Sequence, residues 1–220
     1  MKRILIPELL DTDSAPAADV AAALADLRMV NRWFGGAATM CSLVREVVRR
    51  TGRRELSLLD VGGASGDIPV QVVRHLARDG VRVSFVVLDR SASHLNGNGP
   101  VVAGDGLTLP FADGAFDLVG SSLFAHHLEP GELVRFINES LRVARVGALV
   151  SDLRRSLAHL ALIYAGFPLY RSRIARHDAP ASVRRAYTPN ELRELLEATR
   201  AAAVEMSSHY LCRMGAIAWR

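Results

Sequence analysis

Between residue 56 and about residue 153, short apolar runs of strand length alternate with segments whose apolar residues recur every three or four positions. Each strand is therefore followed by a covering helix before the next begins. That order builds an α/β fold, a parallel, doubly wound, Rossmann-like sheet with helices on both faces. The strand runs are residues 56–61, 81–88, 101–103, 116–124 and 148–152. Helical periods cover 67–78 and 130–145, the latter with proline near its first turn. The connection SASHLNGNGP at 91–100 is too polar and glycine-rich for a full crossover helix, and reads as one short helical turn plus loop.

Upstream, residues 15–34 carry Val20, Leu24, Leu27 and Val30 on one stripe; Gly35 and Gly36 end it, and a second helix through Met40, Leu43, Val44 and Val47 stops near Gly52. Downstream lies a mostly helical insert at 156–185. Thr188-Pro189-Asn190-Glu191 then opens a helix running to about residue 200, with threonine as cap, proline at the first helical position and glutamate three residues on. Two strands within 204–219 are expected as an antiparallel hairpin that completes seven mostly parallel strands. The expected layout is one domain: a helical cap at 1–52, a binding core at 53–155, a helical lid at 156–187, and a closing helix and hairpin at 188–220.

At 220 residues the chain can bury one sizeable core, and 50% hydrophobic with 23% charged residues is ordinary globular composition. No apolar run approaches the ~18 residues of a membrane span. The opening MKRILIPELLDTDS is too short and acidic in its apolar part for a secretory signal, so a cytoplasmic protein is expected. Cys41 and Cys212 fit no metal-ligand spacing. The sequence pI of 9.6 and the net charge of +4 come from arginines scattered in doublets such as Arg49-Arg50 and Arg184-Arg185. That pattern reads as solvated helix faces, so a nucleic-acid partner is not expected, nor a membrane partner; a monomer or homodimer is.

The informative turn is Leu58-Leu59-Asp60-Val61-Gly62-Gly63-Ala64-Ser65-Gly66-Asp67. An apolar strand enters small residues and then a helix, so backbone N–H groups can approach a ligand closely. Dinucleotide enzymes use G-x-G-x-x-G with pyrophosphate at the helix start. Here the small residues fall at 62, 64 and 66, one residue tighter, with Asp60 in the strand end and Asp67 opening the helix. Carboxylates repel a pyrophosphate and suit a ligand carrying an ammonium and a sulfonium.

The turn resembles motif I of the class I S-adenosylmethionine-dependent methyltransferases, and the resemblance runs in order through roughly residues 30–220. Asp89, ending FVVLD and followed by Arg90, matches the family's ribose-binding acid. Gly104-Asp105-Gly106 matches its adenine-binding segment, and Phe116-Asp117-Leu118-Val119 followed by Ser121 to Leu128 matches the strand that lines the transfer site. The resemblance implies S-adenosylmethionine as cofactor, S-adenosylhomocysteine as product, and contacts from Asp60, Gly62, Gly63, Ala64, Gly66, Asp89, Arg90, Gly104, Asp105, Gly106 and Ser121. One departure is Ala64, where the family has its second glycine; its tolerance depends on φ.

The Asn/Asp-Pro-Pro-aromatic signature of many amino-group methyltransferases is absent; Ser121-Ser122-Leu123-Phe124 stands there. Similarity to the quinone-pathway and polyketide-tailoring branches implies a small-molecule substrate, with O- or C-methylation of a phenol, quinone or polyketide-like molecule. His126 and His127 are candidate bases, imidazole titrating near neutrality; in an extended strand at most one of them faces the cleft. Trp33, Arg154, His177 (beside Asp178) and Tyr187 stand where relatives place substrate contacts. No acid cluster resembles the magnesium-dependent catechol type, so no metal is expected. Alternatives are a protein that holds the cofactor without methyl transfer, an RNA methyltransferase (suggested by pI alone), and a nicotinamide-dependent oxidoreductase, against which the tighter turn and Asp105 speak.

Overall fold

The structure, a computed structural model, describes residues 1–11, 15–91 and 99–220. Its centre is a seven-stranded sheet made by β1 (Glu55–Val61), β2 (Arg82–Asp89), β3 (Val101–Ala103), β4 (Phe116–Ser122), β5 (Ala144–Leu153), β6 (Ala203–His209) and β7 (Arg213–Trp219). The spatial order is β3-β2-β1-β4-β5-β7-β6. β1 to β5 pair in parallel, and β7 runs antiparallel to both β5 and β6. The chain builds outward from β1 to one side, then returns to lay β4 on the other. A crevice therefore opens between β1 and β4 at the carboxyl ends of the strands, the place where such sheets bind ligands.

The helices are α1 (Ala17–Trp33), α2 (Gly36–Thr51), α3 (Asp67–Arg78), α4 (Pro130–Val143), α5 (Leu157–Ala165), α6 (Arg173–Arg185) and α7 (Pro189–Glu197). The inner strands are buried on both faces, which is why β4 and β5 read as nearly continuous small and apolar residues. On one face Met40, Val44 and Leu76 from α2 and α3 pack on Leu58, Leu118 and Leu149. On the other, Phe136, Ile137, Leu192 and Leu196 from α4 and α7 pack on Leu59, Val119 and Val150. Each such side chain contributes about 1.5–3 kcal/mol on burial, so the two layers hold the sheet rigid beneath its crevice.

Three boundaries depart from the sequence pattern. The strand expected to run to 124 stops at Ser122, because Leu123 turns to φ +56° and a short 3-10 turn, Ala125–His127, follows. β5 begins at Ala144, directly after α4, rather than at 148, and α7 closes at Glu197. The helical turn expected within 91–100 falls largely on residues 92–98, outside the described residues. Cys41 and Cys212 are both free thiols. Among the described residues no helix is long and apolar enough to cross a membrane.

Candidate active site

The turn after β1 is built by close approach. A Cβ on Gly63 would stand 2.5 Å from Asp60 Oδ2, and one on Gly62 2.7 Å from the Phe124 ring. Gly62 and Gly66 take φ values of +68° and +67°, and Ala64 takes +44°. With this turn wound tightly, the Gly62 N–H donates to the Leu88 carbonyl at 2.8 Å and the Ala64 N–H to Asp89 Oδ2 at 2.9 Å. The ends of β1 and β2 are thereby tied together. Gly106 closes the other side, where a Cβ would come within 2.9 Å of Val61 and 3.1 Å of Phe124.

Acids crowd this rim. Asp60 is 1% exposed, and neither of its carboxylate oxygens has a hydrogen-bond partner among the described residues. Burial, then the charges of Asp67 and Asp89, push its carboxyl up to about 8. Asp89 Oδ1 accepts from the Ser91 N–H at 3.0 Å, and Asp105 Oδ1 from Leu107 N–H at 2.9 Å. These bonds fix the orientation in which Asp89 and Asp105 face a ligand's hydroxyl or amino group. An orphaned buried carboxylate beside a cradle that only small residues fit suits a cationic amino acid joined to a nucleoside, the shape of S-adenosylmethionine.

From this rim a cavity of about 790 Å³ runs across the carboxyl ends of β4 and β5 and the amino end of β7. That is within the ~300–1,000 Å³ range of pockets enclosing small molecules. Gly62, Ala64, Asp89, Arg90, Gly104, Asp105 and Gly106 line its near half, while Asp60, Gly63, Gly66 and Ser121 stand behind that wall. Ser121 is 1% exposed and its Oγ has no hydrogen-bond partner among the described residues. The far half is walled by Leu123, Leu153, Leu162 and Ile163, by Tyr170 and Arg213, and by Glu8 and Asp11 from the amino-terminal segment.

His126 and His127 both line this far half, contrary to the alternation expected of a strand, because the 3-10 turn stacks their rings 4.2 Å apart. His126 is buried between two acids: Nδ1 lies 2.7 Å from Asp152 Oδ1 and Nε2 lies 3.4 Å from Glu8 Oε1. Burial alone would lower its pKa, but the two carboxylates outweigh it and carry the imidazole up to about 10. It is therefore an imidazolium at neutral pH and has no lone pair for a base. His127 differs: Nδ1 lies 3.0 Å from Asp11 Oδ2, and Nε2 is 3.8 Å from Glu8 Oε2. Asp11, which burial would raise, is instead held low by its hydrogen bond to His127 and by the charges of His127 and Arg185. A neutral His127 ring that donates Nδ1–H to Asp11 would offer its Nε2 lone pair to the cavity. Glu8, His126 and His127 are also a group whose donor atoms lie within 4.8 Å, close enough for a cation, though the His126 proton already supplies positive charge there.

The expected substrate contacts are not brought together. Trp33 is 66% exposed with Arg32 stacked on it, and it does not line the cavity; its neighbour Phe34 does. The Arg154 carbonyl accepts from His159 Nδ1 at 3.0 Å, and the Arg154 N–H donates to the Cys212 carbonyl at 2.8 Å. His177 is half-exposed and paired with Asp178, and the buried Tyr187 hydroxyl donates to the Leu128 carbonyl at 2.7 Å. Arg154, His177 and Tyr187 do not line the cavity either; they brace its wall. The residues that do line it and escaped sequence reasoning are Glu8, Asp11 and Arg213, with Asp152 behind them. Asp152 had a readable signal, an acid at a strand's carboxyl end; Glu8 and Asp11 had none, being more than a hundred residues from the histidines they meet.

A family model described as methyltransferase domain matches residues 59–151. A demethylmenaquinone methyltransferase of Roseiflexus sp. (strain RS-1) is 31% identical over 175 residues, covering 73% of this chain and 72% of that protein. Among solved structures, the plantazolicin methyltransferase BpumL in complex with SAH is similar over 96% of this chain and 93% of its own, with a TM-score of 0.68 and 13% identity. A SAM-dependent methyltransferase from Aquifex aeolicus is similar over 91% and 97%, with a TM-score of 0.58 and 16% identity.

Proposed function

Since this chain belongs to the class I S-adenosylmethionine-dependent methyltransferases, we propose that the acceptor it methylates is a small phenol, quinone or polyketide-like molecule, modified at oxygen or carbon. The observation that carries this is the continuity of one cavity, from the acids of the β1–β3 rim to the two histidines beyond β4. The likeness to a demethylmenaquinone methyltransferase supports a quinone-like ring, and the fold shared with a natural-product methyltransferase supports a tailoring role.

S-adenosylmethionine, the family's cofactor, supplies an electrophilic methyl group on a sulfonium. Asp60 and the turn at 62–66 hold its amino-acid end, Asp89 its ribose hydroxyls, and Asp105 with the Gly106 backbone its adenine. The walls from 8–11, α5 and α6 keep water from the reacting atoms, and positioning of that kind is most of what an in-line displacement needs. His127 Nε2 takes the proton from the acceptor's hydroxyl or acidic carbon, with Asp11 fixing the tautomer. His126, held cationic by Asp152 and Glu8, places a positive charge beside the acceptor anion as it forms. No metal is required for these steps.

The test is transfer of label from radiolabelled S-adenosylmethionine to a panel of phenols and hydroquinones. His127→Ala lowers kcat/KM by about 10²–10⁴-fold, the usual worth of a positioned base, while the affinity for S-adenosylhomocysteine stays within about twofold. Chelator-treated enzyme keeps its rate. Transfer that stops on chelation and returns with a divalent cation would assign the Glu8, His126 and His127 cluster to metal binding and reject the base.

A further inference from the structure

Arg213 opens β7, opposite Leu153 of β5 and His209 of β6, at the far end of the cavity from the glycine turn. It is 2% exposed. Its Nε donates to the Phe34 carbonyl at 3.3 Å, but neither terminal guanidinium nitrogen has a hydrogen-bond partner among the described residues. Burial draws its pKa down to about 10, which leaves it charged at neutral pH. Of the neighbouring acids, Asp152 favours the Arg213 cation by its charge and Asp26 acts on Tyr170, but the carboxylates of both are already engaged in hydrogen bonds. Asp152 accepts from His126 and from the Leu153 N–H, and Asp26 accepts from the N–H groups of Arg171 and Ser172.

A buried guanidinium with two unmet donor nitrogens is costly to keep and calls for an explanation, and a ligand that completes it is one. Its surroundings describe that ligand. The Tyr170 side chain is buried on the same cavity wall, and burial keeps its hydroxyl protonated, a neutral donor. His159 has Nδ1 at the Arg154 carbonyl, and burial together with the charges of Arg213 and Arg154 holds it neutral, so it adds no competing charge. Leu162, Ile163 and Leu169 make the rest of this wall apolar. The sheet order sets β7 four intervals from β2, where Asp89 stands; at ~4.8 Å per interval that is about 19 Å. The anion is thus expected on the acceptor rather than on the nucleoside end.

We propose that Arg213 and the Tyr170 hydroxyl bind a carboxylate carried by the methyl acceptor, which makes the preferred substrate an aromatic acid rather than a neutral phenol. This rests on the preceding assignment of the far half of the cavity to the acceptor. The planar fork of the guanidinium matches a carboxylate with two parallel hydrogen bonds, and its fixed place on β7 holds one end of the ring while the other meets His127.

Two readouts test it separately from the methylation assignment. The first is thermal unfolding with saturating S-adenosylhomocysteine and millimolar benzoate. Benzoate raises the wild-type Tm and leaves Arg213→Met unmoved, and Arg213→Met without benzoate melts higher than wild type because an unpaired buried charge is gone. The second is kcat/KM for 2,4-dihydroxybenzoate against resorcinol. Wild type prefers the acid at least tenfold, mainly through KM; Arg213→Met loses the preference and Arg213→Lys keeps part of it. Should the methionine variant misfold by circular dichroism, Arg213→Gln carries the same comparison. A benzoate shift equal in wild type and variant, or absent from both, overturns the site. A tenfold loss of S-adenosylhomocysteine affinity in the variant, with acceptor preference unchanged, also overturns it, because the anion is then the cofactor's own carboxylate. An Arg213-dependent benzoate shift with no transfer to any panel member upholds the anion site and defeats the phenol assignment instead.

Discussion

Ala64 and Asp60 show how single residues set the terms of this site. Alanine at φ +44° sits where a Cβ crowds the following carbonyl, a cost of about 1–2 kcal/mol against glycine, partly offset by the ~0.5–1 kcal/mol of chain entropy glycine loses on folding. Ala64→Gly is therefore expected to raise stability by about 0.5–1 kcal/mol, read as a higher urea midpoint at unchanged m-value. Asp60 has the opposite character, a carboxyl that holds its proton up to about 8 although it ionises near its ordinary value in the unfolded chain. The folded state then binds more protons between roughly pH 4 and 8, so the stability Asp60 contributes is full below that window and lost as pH rises through it. Ligand affinity runs the other way, since a cationic amino acid favours ionised Asp60, with Asp67 and Asp89 the neighbouring charges. The Kd for S-adenosylmethionine should fall as pH rises from 6 to 8, with proton release measurable by titration calorimetry in buffers of different ionisation enthalpy. Asp60→Asn should flatten both profiles; a pH-independent Kd in wild type would remove Asp60 from the cofactor's grip.

At the level of elements, legibility followed locality. The alternation of periods gave the core strands and α3 and α4 because strand and helix patterns arise from neighbours along the chain. The capping box of α7 stands as its residues announce it: the Thr188 hydroxyl accepts from the Glu191 N–H and Glu191 accepts from the Thr188 N–H. What could not be read was the end of β4, where Leu123 adopts a left-handed turn that no propensity favours and that places both histidines on one side. Nor could the path of residues 1–11. This segment is tied down at a distance: Arg3 donates to the carbonyls of Arg185, His126 and Leu128, and Asp178 accepts from the Leu9 and Leu10 N–H groups. Asp178→Ala releases the stretch that carries Glu8 and Asp11. The expected outcome is a loss of at least tenfold in kcat/KM with S-adenosylhomocysteine affinity within twofold of wild type. An equal loss in both would place the segment at the cofactor rather than the acceptor.

For the whole molecule, the sign of the charge differs between outside and inside. The chain carries a net +4, yet Asp89 and Asp105 line the mouth of the crevice, and Glu8 and Asp11 stand farther in. Many arginines are spent on local acids: Arg49 and Arg50 on Glu46, Arg142 on Glu139 and Asp113, Arg53 on Asp117. Exposed pairs of this kind are worth little energetically, but they leave less unopposed positive charge for a polyanion to neutralise. A protein built to grip nucleic acid instead loses affinity steeply with salt, by ~10³–10⁵ between 50 and 200 mM when six to ten phosphates are contacted. A small acceptor entering a partly walled cavity meets only a few charges within a Debye length of about 10 Å at 0.1 M. Methyl transfer to a small phenolic acid should therefore change by no more than a few fold from 50 to 300 mM salt, and added polynucleotide should not compete. A log–log salt slope of five or more, or inhibition by stoichiometric RNA, would show that the basic surface rather than the acid-mouthed cavity selects the substrate.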